Sequence, residues 1–92
     1  VVDMIREFED FGANVDVVDP CASPAEVERS YGIQLSEAPS GSYDAIVLAV
    51  AHAEYVSLNE EVFLSWTNGK AVFGDIKGIY RHQIHQLEYW SL

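Results

Sequence analysis

The sequence of 92 residues is poor in several features that define classes of protein. Its one cysteine, Cys21, excludes an internal disulfide and fits a reducing compartment. Five lysines and arginines stand against 15 aspartates and glutamates, so the formal charge is −10 and no basic face is expected for nucleic acid. The longest apolar run, residues 45–51, is far shorter than the ~20 residues of a membrane-spanning helix. No secretory signal is present, and these absences favour a cytoplasmic protein without nucleic-acid or membrane partners.

Common ligand and catalytic motifs are missing as well. Without a Gly-x-Gly-x-x-Gly turn or a P-loop, this segment is not expected to bind a dinucleotide by itself. His52, His82 and His85 lack the spacing of a zinc site, so no metal is predicted. No histidine is placed by the sequence to activate Cys21, which is interpreted as an ordinary thiol. No catalytic residue is assigned.

The residues that are present indicate a folded domain, with 49% hydrophobic and 12% aromatic residues. Apolar side chains from Val1 to Phe11 recur on one helical face, and Gly12 predicts the end of that helix. Residues 23–26, Ser-Pro-Ala-Glu, form a capping box that opens a second helix, which is predicted to end at Gly32. A similar box at residues 57–60 predicts a third helix with a buried stripe of Leu58, Val62 and Trp66.

Three strands are predicted between and after these helices. The first is the β-rich run Val-Asp-Val-Val-Asp-Pro at residues 15–20. Residues 45–50 are apolar without alternation, which is typical of a parallel strand covered on both faces. A turn at Asn68 and Gly69 leads into the third strand, residues 71–75. An aromatic tail follows, with Ile84, Leu87, Tyr89 and Trp90.

This order predicts an α/β fold, a Rossmann-like three-layer sandwich with a mostly parallel sheet whose first strand is missing from this chain. Residues 1–92 are therefore interpreted as a single partial domain of a larger protein. The missing strand is central in the common doubly wound orders. We expect residues 15–18 and 45–50 either to pair directly in a smaller sheet or to receive a strand from another chain.

The strongest site signal follows the last of these strands, in Gly74-Asp-Ile-Lys-Gly-Ile-Tyr-Arg81. Lys77 and Arg81 come at the end of a buried strand in an acidic chain, which indicates a site for phosphate or carboxylate. Two solvated surface cations are the alternative interpretation. His52 follows the preceding strand, three residues before Tyr55. It is interpreted either as a ligand contact or as a histidine hydrogen-bonded to a helix start.

Taken together, these segments resemble the C-terminal domain of the UDP-glucose/GDP-mannose dehydrogenase family, and most closely that of enzymes that oxidise UDP-N-acetylhexosamines to uronic acids. The resemblance covers nearly the whole chain and follows from the order and spacing of four segments. They are residues 1–5, residues 15–20, residues 43–50 with His52-x-x-Tyr55, and residues 75–81.

The resemblance implies a function that the residues alone do not. Family members are NAD-dependent and oxidise the C6 alcohol of the sugar to a carboxylate for polysaccharide precursors. Their nucleophilic cysteine and their main NAD site lie in parts absent here, so the isolated chain is predicted to be inactive. This domain is expected to bind the UDP-sugar through Lys77, Arg81, His52 and Tyr80. The other domains of the enzyme and further copies of it are the expected partners.

Two other classes of protein remain open. A receiver-like signalling module shares the alternation of helices and strands, but it needs an aspartate where the middle strand here ends in Val50-Ala51-His52. A non-catalytic oligomerisation or phosphate-binding module is favoured by the aromatic tail and the sheet gap. Binding of UDP would separate an oligomerisation module from a substrate domain.

Overall fold

The structure is a computed structural model that describes residues 2–36, 39 and 41–92. The chain divides into two compact units, unit 1 over Val1–Pro39 and unit 2 over Ser40–Leu92. Among the described residues, no helix combines the length and apolarity required to cross a membrane.

Unit 1 contains the two helices predicted for it. Helix α1, Val2–Asp10, buries Ile5, and Gly12 follows it with φ +93°. The predicted apolar face is only partly covered within this chain, because Phe11 is 87% exposed, while Val1 lies outside the described residues. Helix α2, Pro24–Tyr31, begins and ends as predicted. The Ser23 hydroxyl accepts a hydrogen bond from the Glu26 N–H at 3.4 Å, and Gly32 ends the helix with φ +69°.

The strand predicted at residues 15–20 is wrong. Within residues 2–36, 39 and 41–92, Val17 forms only an isolated parallel bridge with Leu35, and the sheet of unit 2 consists of other strands. The local sequence explains why the run does not extend to residue 20. The Asp19 carboxylate accepts the Cys21 N–H at 2.9 Å in a turn, and Pro20 has no N–H to donate, so the extended run cannot continue.

Unit 2 is built on a parallel sheet, which confirms the predicted α/β, Rossmann-like class. Its elements in chain order are β1 Tyr43–Leu48, α3 Ala53–Val56, α4 Glu60–Ser65, β2 Thr67–Asp75 and β3 Glu88–Ser91. The sheet order is β1-β2-β3 with β2 in the centre, and both pairs are parallel. In β1, Asp44 and Ala45 are exposed, so this end of the strand is not covered on both faces as predicted.

Three predicted details of unit 2 also change. Helix α4 is capped by Asn59, whose side-chain oxygen accepts the Val62 N–H at 3.2 Å, and not by a box opened at Ser57. The buried side chain of α4 is Phe63, which directly follows Val62 of the predicted stripe. Residues 68–71 form a bulge inside β2, since Tyr43 pairs with Thr67 and Ala45 with Val72.

The aromatic tail is a third strand. In β3, Tyr89 pairs with Phe73 and Trp90 with Gly74 of β2. The core of unit 2 lies beneath this sheet and is formed by Leu48, Phe63, Phe73, Tyr80, Ile84 and Leu87. The chain that follows β2 therefore enters the core before it returns to the sheet.

Candidate functional site

The carboxyl ends of the three strands lie at the same edge of the sheet, because all three strands are parallel. We call this edge the strand-end site and define it as residues 49–52 after β1, residues 76–81 after β2, and Leu92 after β3. Ligands of open α/β sheets bind at this edge. All four side chains predicted to bind substrate follow β1 or β2 at this edge or lie in the loops that begin there.

The loop after β2 places Lys77 in a tight turn. The backbone carbonyl of Asp75 accepts the Gly78 N–H at 3.1 Å, so Lys77 occupies the third position of a four-residue turn. Gly78 has φ +67°, a conformation that favours glycine over residues with a side chain. The Lys77 side chain is exposed at this turn, where it is accessible to an anionic ligand.

Arg81 folds back over the same turn. Its Nη2 donates a hydrogen bond to the backbone carbonyl of Leu92 at 2.7 Å. Its guanidinium also lies against Gly78, where an added Cβ would come within 2.7 Å of the Arg81 Nε. Arg81 is exposed, so this arrangement orients the guanidinium while leaving it accessible. Two of the five lysines and arginines in the chain thus lie in one loop of the strand-end site.

Tyr80 anchors this loop in the core instead of standing open to solvent. It is 2% exposed, and its ring packs edge-on against Phe63 at 5.3 Å and Phe73 at 6.1 Å between centroids. Its hydroxyl donates to the backbone carbonyl of Tyr55 in α3. Burial, with the nearby Asp75 charge, raises the pKa of Tyr80, so the phenol remains a neutral donor. Tyr80 therefore connects the loops that follow β1 and β2.

His52 lies at the N-cap of α3 and is half-buried. Its side chain makes no capping hydrogen bond to α3, so the predicted alternative of a histidine bonded to that helix start is not formed. The His52 ring instead packs edge-on against Tyr55, with centroids 6.0 Å apart. His52 therefore lies next to Tyr55, whose backbone carbonyl accepts the Tyr80 hydroxyl.

Sequence reasoning missed two residues beneath the strand-end site, Asp75 and Tyr89. Asp75 ends β2 fully buried, and its Oδ2 accepts hydrogen bonds from the Tyr80 N–H and the Tyr89 hydroxyl, both at 2.7 Å. Burial and the hydrogen bond to Asp75 raise the pKa of Tyr89, which stays a neutral donor. A charged residue closing an apolar strand was the available signal for Asp75. No sequence signal points to Tyr89, because the sequence predicts an aromatic tail there and not a strand.

Two cavities are lined by described residues that are not part of the strand-end site. One, of about 570 Å³ in unit 1, is lined in part by Glu9, Asp16 and Glu28, and these carboxylates would repel a phosphate. The other, of about 380 Å³ in unit 2, lies near the bulge of β2 and is lined in part by Asp44, Lys70 and Glu88. The strand-end loop is therefore better suited than either cavity to an anion.

Comparison with known proteins gives a consistent assignment. Residues 1–82 match the UDP binding domain of the UDP-glucose/GDP-mannose dehydrogenase family. The chain is 38% identical over 78 residues to a UDP-N-acetyl-D-glucosamine 6-dehydrogenase of Pseudomonas aeruginosa and 35% identical over 78 residues to that of Salmonella typhi. Each alignment covers 84% of this chain but 18% of the relative. Protein CapL of Staphylococcus aureus is 29% identical over 80 residues, 86% of this chain and 19% of that protein.

The chain thus spans less than a fifth of the length of these relatives. No solved structure matches it. The family match covers most of the chain, and the parallel sheet is consistent with it: this chain belongs to the UDP-glucose/GDP-mannose dehydrogenase family.

Proposed function

We propose that this chain is the C-terminal, UDP-sugar-binding portion of an NAD-dependent nucleotide-sugar 6-dehydrogenase. The whole enzyme would oxidise the C6 alcohol of a UDP-sugar to a carboxylate, with two hydrides transferred to NAD, in the cytoplasm and for polysaccharide precursors. The two relatives with the highest identities given above are named UDP-N-acetyl-D-glucosamine 6-dehydrogenases, which supports an N-acetylated UDP-sugar as substrate. In this proposal, both units belong to one partial domain of a homo-oligomeric enzyme.

The observation that carries the proposal is the loop that presents Lys77 and Arg81 at the strand-end site. A UDP-sugar carries a diphosphate, and arginine and lysine are the side chains suited to its oxygens. Arg81 is already oriented by Leu92 and Gly78, so little side-chain entropy is lost when it binds an anion. Tyr80, buried beneath the loop, would contribute by holding these cations, and His52 would border the ligand from the loop after β1.

NAD does not fit the described residues. Residues 49–52 after β1 contain no glycine, and the helix that follows, α3, has only four residues. A dinucleotide site needs glycines for close approach of the backbone to the pyrophosphate and a longer helix behind it. We therefore assign NAD to the other domains of the enzyme.

The test is an assay of the full-length protein with NAD and a panel of nucleotide sugars. We expect NADH to form with UDP-N-acetylglucosamine or a close N-acetylated relative, and less with UDP-glucose or GDP-mannose. An absence of NADH with every nucleotide sugar, from protein that is folded and binds NAD, would overturn the proposal. Failure to bind UDP as well would favour the non-catalytic oligomerisation module.

A further inference from the structure

Asp75 is the one charged side chain that is fully buried among the described residues. It ends the central strand of the sheet, between Leu48 of β1 and Ser91 of β3. No lysine or arginine in the described part of the chain forms an ion pair with it, and its Oδ1 has no hydrogen-bond partner there. Removing a carboxylate from water without a cation is costly, so burial of Asp75 does not by itself favour the folded state. This placement calls for another explanation.

Asp75 holds the loop that follows it at two points. Its backbone carbonyl accepts the Gly78 N–H at 3.1 Å, and its side chain accepts the Tyr80 N–H at 2.7 Å. Both bonds span Lys77, because the acceptor is at residue 75 and the donors are at residues 78 and 80, and the second donor directly precedes Arg81. The backbone positions of both cations therefore depend on Asp75.

The same carboxylate connects the loop to the neighbouring strand. Tyr89 of β3 donates its hydroxyl to Asp75 Oδ2, and its ring stacks on Phe73 of β2 with centroids 6.1 Å apart and planes 19° apart. The positive charge of Arg81 offsets a small part of the rise in the pKa of Tyr89. One oxygen of Asp75 thus joins β2, β3 and the loop of cations.

We propose that Asp75 is a positioning residue for substrate binding, which holds residues 76–81 so that Lys77 and Arg81 face the diphosphate of a UDP-sugar in a fixed geometry. This inference rests on the proposed function. An asparagine would offer one oxygen to the same two donors, so what aspartate adds is negative charge beneath two cations. That charge strengthens both hydrogen bonds and favours a loop conformation in which the cations stay near it.

The test is a mutant cycle in the full-length enzyme. Asp75→Asn is expected to raise the KM for the UDP-sugar and the Kd for UDP about three- to tenfold, with the KM for NAD unchanged. In a Lys77→Ala/Arg81→Ala background, Asp75→Asn should produce no further rise, because the groups it positions are gone. Ile84→Val, a buried change outside residues 76–81, is the matched control and should lower the melting temperature without changing either constant.

Each outcome is decisive. A rise in KM that is equally large in both backgrounds, or an unchanged KM in Asp75→Asn, overturns the positioning role. If Lys77→Ala/Arg81→Ala leaves the UDP-sugar KM and UDP affinity unchanged, the proposed site is wrong, and the role of Asp75 falls with it. Should Asp75→Asn fail to fold, Tyr89→Phe takes its place, because it removes one of the two donors to Asp75 and is expected to act in the same direction.

Discussion

The carboxylate of Glu60 accepts a hydrogen bond from the backbone N–H of Gln86 at 2.7 Å, although the two residues are 26 positions apart. The same carboxylate accepts the N–H groups of His85 and Leu87 at 3.0 Å. Three successive backbone donors thus converge on one side chain at the start of α4. The contact fixes the segment that leads into β3, and β3 carries the Tyr89 that binds Asp75.

Replacing Glu60 by glutamine is expected to destabilise the chain. Glutamine keeps one acceptor oxygen but turns an N–H₂ group towards backbone donors, so at least one of them loses its partner. We expect a loss of about 1–2 kcal/mol in the free energy of unfolding, measured by urea denaturation. Glu61→Gln is the matched control, since Glu61 lies in the same helical turn but is exposed. Equal losses of unfolding free energy for the two variants would mean that Glu60 stabilises the chain only through the helix dipole and not through the three backbone donors.

Stability should also depend on pH through Glu60. Partial burial opposes ionisation of its carboxyl, but the backbone donors of residues 85–87 and the nearby His85 outweigh burial and lower the pKa below its ordinary 4.5. A group with a lowered folded-state pKa stabilises the fold above its unfolded pKa, and this contribution is lost as the pH falls through the folded value. The stability difference between the wild-type chain and Glu60→Gln should therefore be constant near neutral pH and shrink below pH 4.5. A difference that does not change down to acid unfolding would contradict this account.

The secondary-structure elements that could be predicted from sequence are those whose ends are determined by residues close to them in the chain. Helix α2 was placed correctly because Ser23, Pro24 and Gly32 act within one or two turns of the backbone. The start of α4 was misplaced because Glu60 has a distant partner at residues 85–87, which no local pattern reveals. Strand β3 was missed for a related reason. It is defined by its pairing with β2, and its four residues are too few to display a period.

The site divides in the same way. Lys77 and Arg81 could be assigned to the end of a strand because strand ends follow from the apolar run before them. The role of Asp75 depends on Tyr80, five residues later, and on Tyr89, 14 residues later, both of which required the fold. The burial of Tyr80 also required the fold, since its tyrosine ring could as well have been an exposed ligand contact.

Gly78→Ala should weaken UDP-sugar binding more than Gly69→Ala, the same substitution at another glycine with positive φ. Gly78 has φ +67°, and an added methyl group would lie 2.7 Å from the Arg81 Nε, so Arg81 must move. Gly69→Ala is the control, because Gly69 has φ +96° but nothing within 4 Å of the added carbon. Both variants should lose about 1–2 kcal/mol of stability from backbone strain. Only Gly78→Ala should raise the UDP-sugar KM of the full-length enzyme, and an equal rise for Gly69→Ala would show that Arg81 is not responsible.

The 92-residue chain alone is expected to produce no NADH from any UDP-sugar. Its described residues contain no glycine-rich turn for a dinucleotide, and the whole match accounts for less than a fifth of each relative. The measurement is NADH absorbance with purified chain, NAD and UDP-N-acetylglucosamine, with the full-length protein as positive control. Turnover by the chain alone would refute the assignment of the chemistry to other domains.

Salt should reveal how Lys77 acts. An exposed ammonium contributes to phosphate binding as a point charge, and such an attraction is screened over roughly 8–10 Å at physiological ionic strength. In the full-length enzyme, Lys77→Ala should therefore weaken UDP binding at low salt, and the loss relative to wild type should shrink as salt is raised. Lys70→Ala is the matched control, since Lys70 is an exposed lysine in the bulge of β2, away from the strand-end site. We expect little change in UDP affinity for Lys70→Ala at any salt concentration.

Two results would contradict this account of Lys77. A loss of UDP affinity in Lys77→Ala that is independent of salt would indicate that the side chain acts through packing of the turn. Similar losses for both lysine variants would indicate a general effect of net charge.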